Sequence, residues 1–271
     1  MPFSLAALTA LDLPPPQLIE VAHACGYEQV GLRLLAATAG GTAYPLMDDR
    51  AQLRETKARL AATGIRVADL EVFAIRPDTI IASLEAVFEA GRELGAKHTL
   101  VAAYDPDLER FADRFAEYCA LAGRFGLTAD LEFMPWTFVP DLPTASRIVE
   151  KTRSPAAGVL VDALHFDRSG SRLEDLGKIS PRQLHYWQIC DAPADRPATM
   201  DAMIHAAREE RMFPGEGGID LVGLTKAMPA DITVSIEVPT ATLAKTADAE
   251  TRARRALQGA KNVIAAAGAA R

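Results

Sequence analysis

Short hydrophobic runs alternate with longer segments of helical periodicity along almost the whole chain. In the longer segments, apolar residues recur at the three- and four-residue spacing of a single helix face, and several segments end in Gly, a common helix stop. The pattern predicts strands at 4–8, 29–33, 67–73, 98–104, 128–133, 158–164, 184–190 and 233–238. It predicts helices at 49–64, 83–95, 108–126 and about 246–268.

Eight strand–helix units in a chain of 271 residues match a (β/α)8 barrel in number and size. The competing architecture is a doubly wound open sheet, which would place a GxGxxG turn after the first strand, and SLAALTALDLPPP contains none. No linker or change of composition divides the chain, so we predict one barrel domain over residues 1–271. The segment 36–45, with its Gly pair and Pro45, predicts a long loop after the second strand, either a lid or an ordinary surface loop.

Composition narrows the class of protein. The chain is 49% hydrophobic and 24% charged with a net charge of −7, and it has no Lys/Arg run, which disfavours nucleic-acid binding. Its three cysteines are far apart and suit reduced thiols. Without an export signal or an apolar run long enough to span a bilayer, we expect a cytoplasmic protein with no membrane contact.

Polar residues collect where the later strands end, and this is where the active site of a (β/α)8 barrel lies. Glu132 ends the fifth strand, Asp162 and His165 follow the sixth, Gln188 lies in the seventh and Glu237 in the eighth. A buried carboxylate without a partner is costly. Three of them with one amide are more simply explained as ligands of one cation than as unrelated ion pairs.

The types of ligand limit which metal ion is expected to bind. Three carboxylates and one amide oxygen form a hard, all-oxygen set, which favours Mn²⁺ or Mg²⁺. Co²⁺ is an expected substitute, and Zn²⁺ is less favoured than it would be with a histidine ligand.

Five motifs in order resemble the xylose isomerase-like TIM barrel superfamily, the sugar phosphate isomerase/epimerase group. They are LEFMPW, VDALHF, WQICDA, FPGEGGID and SIEVP, all within residues 128–240. The resemblance implies that Glu132, Asp162, Gln188 and Glu237 bind a divalent metal and that His165 contacts the substrate. It also implies that Glu132 and Glu237 are the acid–base pair that moves a proton on the carbon next to a carbonyl.

The chain departs from the family pattern at two places. Members usually have a histidine at the position of Gln188, and many end the second strand in V-E-[LI], where this chain has Arg33 in GLRL. With Arg76 and Arg196, Arg33 forms a set of three arginines expected near the barrel mouth, which suits an anionic substrate. The other interpretation is that these are solvated loop charges.

Four further residues are assigned supporting or structural roles. Trp136 is a candidate wall for the substrate, or an aromatic residue packed beside Pro135. Asp191 is expected to orient a ligand from behind, and Glu71 to face the interior or pair with an arginine. Asp220 is predicted to be the N-cap of the following helix.

These residues predict an isomerase or epimerase of a small polyhydroxylated substrate, and two alternatives stay open. The 3-dehydroshikimate dehydratases look similar and include members with glutamine among the metal ligands. The second alternative is a catalytically inactive barrel that only binds a small molecule or a protein. Endonuclease IV shares the barrel, but its zinc cluster is rich in histidine. This chain does not match that pattern, because His185 lies at odd parity to Gln188 and is predicted to face away from the barrel interior. Whether the chain forms a homo-oligomer is left open.

Overall fold

A computed structural model describes residues 1–269, and its strands close into an eight-stranded parallel barrel in chain order. Each strand pairs with its neighbours along the sequence, and β1 pairs with β8 to complete the ring. The strands are β1 (Phe3–Leu5), β2 (Gln29–Leu32), β3 (Arg66–Ile75), β4 (His98–Ala103), β5 (Thr128–Glu132), β6 (Ala157–Asp162), β7 (Tyr186–Ile189) and β8 (Thr233–Ile236). The predicted (β/α)8 barrel is confirmed, and the open doubly wound sheet is wrong.

Helices surround the barrel and connect its strands. They are α1 (Pro15–Cys25), α2 (Arg50–Thr63), α3 (Glu85–Leu94), α4 (Leu108–Arg124), α5 (Leu142–Thr152), α6 (Ala163–Ser169), α7 (Leu173–Leu176), α8 (Met200–Glu209), α9 (Leu221–Ala227) and α10 (Ala249–Ala269). The part of the chain that the structure describes contains no helix both long and apolar enough to cross a membrane.

Local sequence signals set several helix ends. The carboxylate of Asp49 accepts hydrogen bonds from the backbone N–H groups of Ala51 and Gln52 and so caps α2. Gly64 ends the same helix in the left-handed conformation (φ 74°), which glycine adopts without steric cost. Asp220 accepts from the N–H of Gly223 at the start of α9, so the predicted N-cap is confirmed.

The main core lies between the barrel and its helices, as shown by the ring contacts of Phe73, Phe88 and Tyr118. A smaller apolar cluster of Leu100, Leu160 and Tyr186 fills part of the barrel interior. The polar side chains of the candidate site lie at the carboxyl ends of the strands, where the connecting loops begin.

Candidate active site

A pocket of about 220 Å³ opens at the carboxyl ends of the barrel strands. Its walls combine apolar residues from several loops with a small number of charged groups, the usual composition of a small-molecule site. The polar and aromatic residues that line it include Arg33, Glu132, Trp136, His165, Arg211 and Glu237. The residues at segment 37–42 that also line it belong to the predicted loop between β2 and α2.

The D-x-x-H spacing has a simple structural basis. Asp162 ends β6 and also caps α6, because its Oδ1 accepts a hydrogen bond from the backbone N–H of His165 at 3.0 Å. This first helical turn places Nε2 of His165 3.9 Å from Oδ1 of Asp162 and 3.6 Å from Oε1 of Glu132. Trp136 packs edge-on against the imidazole, with ring centroids 5.0 Å apart. The structure therefore brings together four of the predicted site residues.

Arg211, which the sequence did not single out, bridges two of the predicted metal ligands. Its guanidinium lies 2.6 Å from Oδ2 of Asp162 and 2.8 Å from Oε2 of Glu237, and its Nε donates to the carbonyl of Ala207. The side chain is almost completely buried. The available sequence signal was an arginine three residues before the proline of the P-G-x-G motif, in RMFPGEG.

Burial and mutual repulsion change the acidity of the carboxylates. Burial raises the pKa of Glu132 well above its usual value, and the charges of Glu237 and Asp162 add to the effect. Burial likewise raises the pKa of Glu237 to about 7, although Arg211 opposes the shift. Burial also acts to raise the pKa of Asp162, but Arg211 and His165 outweigh it and the pKa falls below its usual value.

His165 is neutral at physiological pH, because burial lowers its pKa to about 4 despite the opposing charge of Asp162. Its Nδ1 has no hydrogen-bond partner among the described residues. A neutral imidazole facing a pocket can donate one hydrogen bond and accept another.

Gln188 lies in β7 directly opposite Asp162 on β6 and Ser235 on β8. Because parallel partners in register point to the same face, Gln188 shares the inner face of the barrel with Asp162. The residue is fully buried, yet neither Oε1 nor Nε2 of its amide has a hydrogen-bond partner among the described residues. Buried amides in proteins normally have a hydrogen-bond partner or a bound ion, so this one needs an explanation.

The donor set fits a divalent cation. Glu132, Asp162 and Glu237 provide three buried carboxylates against the one guanidinium of Arg211, which leaves an excess of two negative charges when all are ionised. Glu132, Asp162 and His165 each offer a ligand atom within 4.8 Å of the other two. Bound there, a divalent cation would neutralise the excess charge.

Arg33 lines the pocket, but its charge is already balanced. Its Nη2 lies 2.6 Å from Oε2 of Glu71, and both side chains are buried. The other oxygen of Glu71 accepts the backbone N–H of Ala7 at 2.7 Å. Glu71 therefore adopts the arginine-paired alternative, and Arg33 presents little net charge to a substrate.

The other two predicted arginines lie at or beyond the edge of the pocket. Arg76 is exposed, stacks on Tyr104 with 5.1 Å between the guanidinium carbon and the ring centroid, and bonds the carbonyl of Ala37. Arg196 lies outside the pocket, where its guanidinium donates to the carbonyl of Asp167. By contrast Arg208, an exposed residue of α8, lines the pocket and makes no ion pair within residues 1–269.

Asp191 acts on the loop next to the site. Its two carboxylate oxygens accept the backbone N–H groups of Gly215, Gly217 and Ile219, and its backbone pairs with Met212. The carboxylate thus fixes the segment that follows Arg211, which is an indirect way of positioning that arginine.

The prediction that His185 faces away from the barrel interior is wrong. Its Nδ1 lies 2.6 Å from Oδ1 of Asp130, a buried residue two positions before Glu132 on β5. His185 precedes the first residue of β7 and so does not follow the alternation of that strand.

The closed barrel and its buried carboxylates at the strand ends define the class of (β/α)8 barrel proteins with a polar site at the carboxyl face. Residues 19–263 match the family described as xylose isomerase-like TIM barrel, and the chain belongs to this family.

Relatives of known name match over part of the chain. The inosose isomerase of Bacillus licheniformis is 32% identical over 108 residues, which cover 39% of this chain and 36% of the relative. The inosose isomerase of Bacillus subtilis is 25% identical over 152 residues, 52% of each chain. The matches therefore span about half or less of the length of these relatives.

Solved structures match over nearly the whole chain. The IOLI protein with a bound zinc atom superposes with a TM-score of 0.82 at 22% identity, covering 98% of this chain and 99% of the other. The D-psicose 3-epimerase of Clostridium cellulolyticum H10 gives 0.74 at 14% identity, with 97% and 99% covered. At these identities the likeness shows the shared fold.

Proposed function

We propose that the chain is a divalent-metal-dependent isomerase or epimerase that moves a proton on the carbon next to a carbonyl of a small polyhydroxylated substrate. The observation that carries the proposal is a buried set of three carboxylates with an excess of negative charge: Glu132 and Glu237 line the pocket, and Arg211 joins Asp162 to Glu237. The unpartnered amide of Gln188 lies opposite Asp162 on the neighbouring strand. The names of the matched relatives, inosose isomerases, support this reaction class.

The ligand set Glu132, Asp162, Gln188 and Glu237 favours Mn²⁺ or Mg²⁺, with Co²⁺ and Zn²⁺ as substitutes. When bound, the cation supplies a positive charge that polarises the substrate carbonyl and stabilises the charge developed on its oxygen. The protein residues supply the proton transfer and hold the substrate in position.

Glu132 and Glu237 are the proposed acid and base. They end β5 and follow β8, three strands apart around the barrel, so they enter the pocket from different walls. In the protein without metal, burial raises the pKa of both carboxyl groups above its usual value. Two such groups on different walls allow one to remove a proton and the other to return it.

Three further residues support this proposed exchange. Arg211 holds one oxygen of Glu237 and one of Asp162, so both carboxylates keep their orientation without substrate. His165 is placed to bond a substrate hydroxyl or carbonyl oxygen, since its neutral imidazole faces the pocket beside Glu132. Trp136 supplies an apolar wall next to it.

A dehydratase acting on a carboxylated ring ketone is the second candidate, and Gln188 is the observation that favours it. The amide stands in β7 where the isomerase pattern has histidine, and dehydratases resembling this chain include glutamine among their ligands. The two reactions share the first proton abstraction. They differ in whether the intermediate is reprotonated or expels a hydroxyl group as water.

One assay separates the two candidates. Purified protein with Mn²⁺ is offered inososes, ketoses, ketose phosphates and 3-dehydroshikimate, and products are followed by NMR and ultraviolet absorbance. An isomerase converts an inosose or ketose into an isomer with no new ultraviolet band. A conjugated or aromatic product from 3-dehydroshikimate alone would replace the isomerase proposal by the dehydratase.

A further inference from the structure

A second group of metal-binding side chain types lies at the opposite end of the barrel from the pocket. His98 is the first residue of β4 and His185 precedes β7, so both stand where strands begin rather than end. Asp130 lies between them on β5. The proposed reaction uses none of these three residues.

The three side chains converge closely. Nδ1 of His185 lies 2.6 Å from Oδ1 of Asp130, and Nδ1 of His98 lies 3.9 Å from its Oδ2. Each residue offers a ligand atom within 4.8 Å of those of the other two. The two imidazole rings are nearly parallel, with centroids 5.9 Å apart.

The neighbouring strand leaves room for this contact. Gly158 on β6 pairs with Asp130, and a Cβ at residue 158 would lie 2.3 Å from Oδ1 of Asp130 and 2.5 Å from Nδ1 of His185. Any larger residue would push the two groups apart. Glycine at residue 158 therefore leaves the room that Asp130 and His185 need to be in contact.

The chemistry of the group suits a transition metal. Two imidazole nitrogens and one carboxylate oxygen are common zinc ligands. Asp130 is buried while each imidazole is 16% exposed, so a fourth position can face solvent.

The observed distances need only a small adjustment. Zinc–ligand bonds of about 2.0–2.1 Å in a tetrahedron place the ligand atoms about 3.3 Å apart. The contact of His185 with Asp130 would lengthen and that of His98 would shorten, each by well under 1 Å. Side-chain rotation covers such a change, with Thr128, now 2.8 Å from Nδ1 of His98, releasing that nitrogen.

We propose that His98, Asp130 and His185 form a second metal site of the zinc type, which joins β4, β5 and the start of β7 at the amino-terminal end of the barrel. The site is structural, because it lies outside the pocket and binds three chain segments that are far apart in sequence. Bound metal stabilises the folded barrel by an amount that rises with the logarithm of its affinity.

Metal counting tests the site. Protein stripped with a chelator is titrated with zinc chloride, and bound zinc is measured after gel filtration. His98→Gln and His185→Gln should each bind one equivalent fewer than the wild type, and zinc should raise their melting temperature less. His205→Gln, which removes an exposed histidine of α8, is the matched control and should bind as the wild type does. Because only the difference is used, the result is independent of occupancy at the pocket.

A chemical measurement on the wild type covers the case in which the variants do not fold. Zinc should slow modification of His98 and His185 by diethylpyrocarbonate, read by mass spectrometry, while exposed His23 and His205 react as before. Zinc stoichiometry equal in wild type and folded variants, or equal reactivity of His98 and His185 with and without zinc, would overturn the site. The three residues would then form a hydrogen-bonded group only.

Discussion

Gln188 shows, at the scale of one residue, which features of the site the sequence predicts and which require the structure. In sequence it is a polar residue inside an apolar strand, whereas the structure places its unpartnered amide on the inner face opposite Asp162. Its burial and facing could be predicted from the alternation of β7. The lack of a hydrogen-bond partner for its amide could not be predicted from the sequence, because it depends on which residues of β6 and β8 lie next to it.

If Gln188 is a ligand, its replacement changes metal selectivity. Gln188→His should keep metal binding but shift preference from Mn²⁺ towards Zn²⁺ or Co²⁺, since imidazole is the softer donor. Gln188→Leu, of similar size, should weaken Mn²⁺ binding by about tenfold or more. Calorimetric titration with each metal measures both effects. An unchanged Mn²⁺ affinity in Gln188→Leu would show that the amide is not a ligand.

Arg211 is the residue that sequence reasoning missed, because its role comes from contacts with residues 49 and 26 positions away in the chain. Removing it leaves two buried carboxylates without their cation. Arg211→Met should lower the free energy of unfolding by about 3–5 kcal/mol in metal-free protein, the usual effect of breaking a buried ion pair.

Divalent metal should partly restore the stability of Arg211→Met, because it neutralises the same carboxylates. Urea denaturation with Mn²⁺ and with chelator measures the effect, and Arg196→Met, which alters an arginine outside the pocket, is the control. Equal stability of Arg211→Met and wild type in chelator would contradict the ion-pair assignment.

At the scale of elements, the short hydrophobic runs between helical segments predicted each strand to within a few residues. Gly64 and Gly95, at the predicted helix ends, adopt the left-handed conformation that stops α2 and α3. Side-chain pairs between different elements were harder to predict from the sequence. Arg33 after β2 was expected to meet substrate, but its partner Glu71 on β3 could be recognised only as one of two alternatives.

If the substrate is anionic, we expect Arg208 of α8 rather than Arg33 to contact it. Arg208 lines the pocket without an ion pair among the described residues, whereas the charge of Arg33 is balanced. Arg208→Gln should therefore raise KM for a phosphorylated or carboxylated substrate by roughly tenfold, the effect of losing one charged hydrogen bond, and leave KM for a neutral one unchanged. Steady-state kinetics with both substrates, using Arg196→Gln as control, measures it. Equal changes in KM for the two substrates would remove Arg208 from anion recognition.

At the scale of the whole molecule, the barrel explains how residues spread over more than a hundred positions form one site. Parallel strands of a closed barrel end on one face, so Glu132, Asp162 and Glu237 meet although they are distant in sequence. The barrel, and the position of these residues at the ends of its strands, were therefore predictable from the sequence. The ion pairs of Arg33 and Arg211 depend on side-chain reach across the barrel and required the structure.

Exchange of a substrate proton with solvent tests the central claim most directly. In D₂O with Mn²⁺, the wild type should incorporate deuterium at the carbon next to the carbonyl of an accepted inosose or ketose, as followed by NMR. Chelator should abolish this exchange, and Glu132→Gln, folded by circular dichroism, should slow it by about a hundredfold or more. Exchange that continues at the wild-type rate without metal, or in Glu132→Gln, would contradict the account.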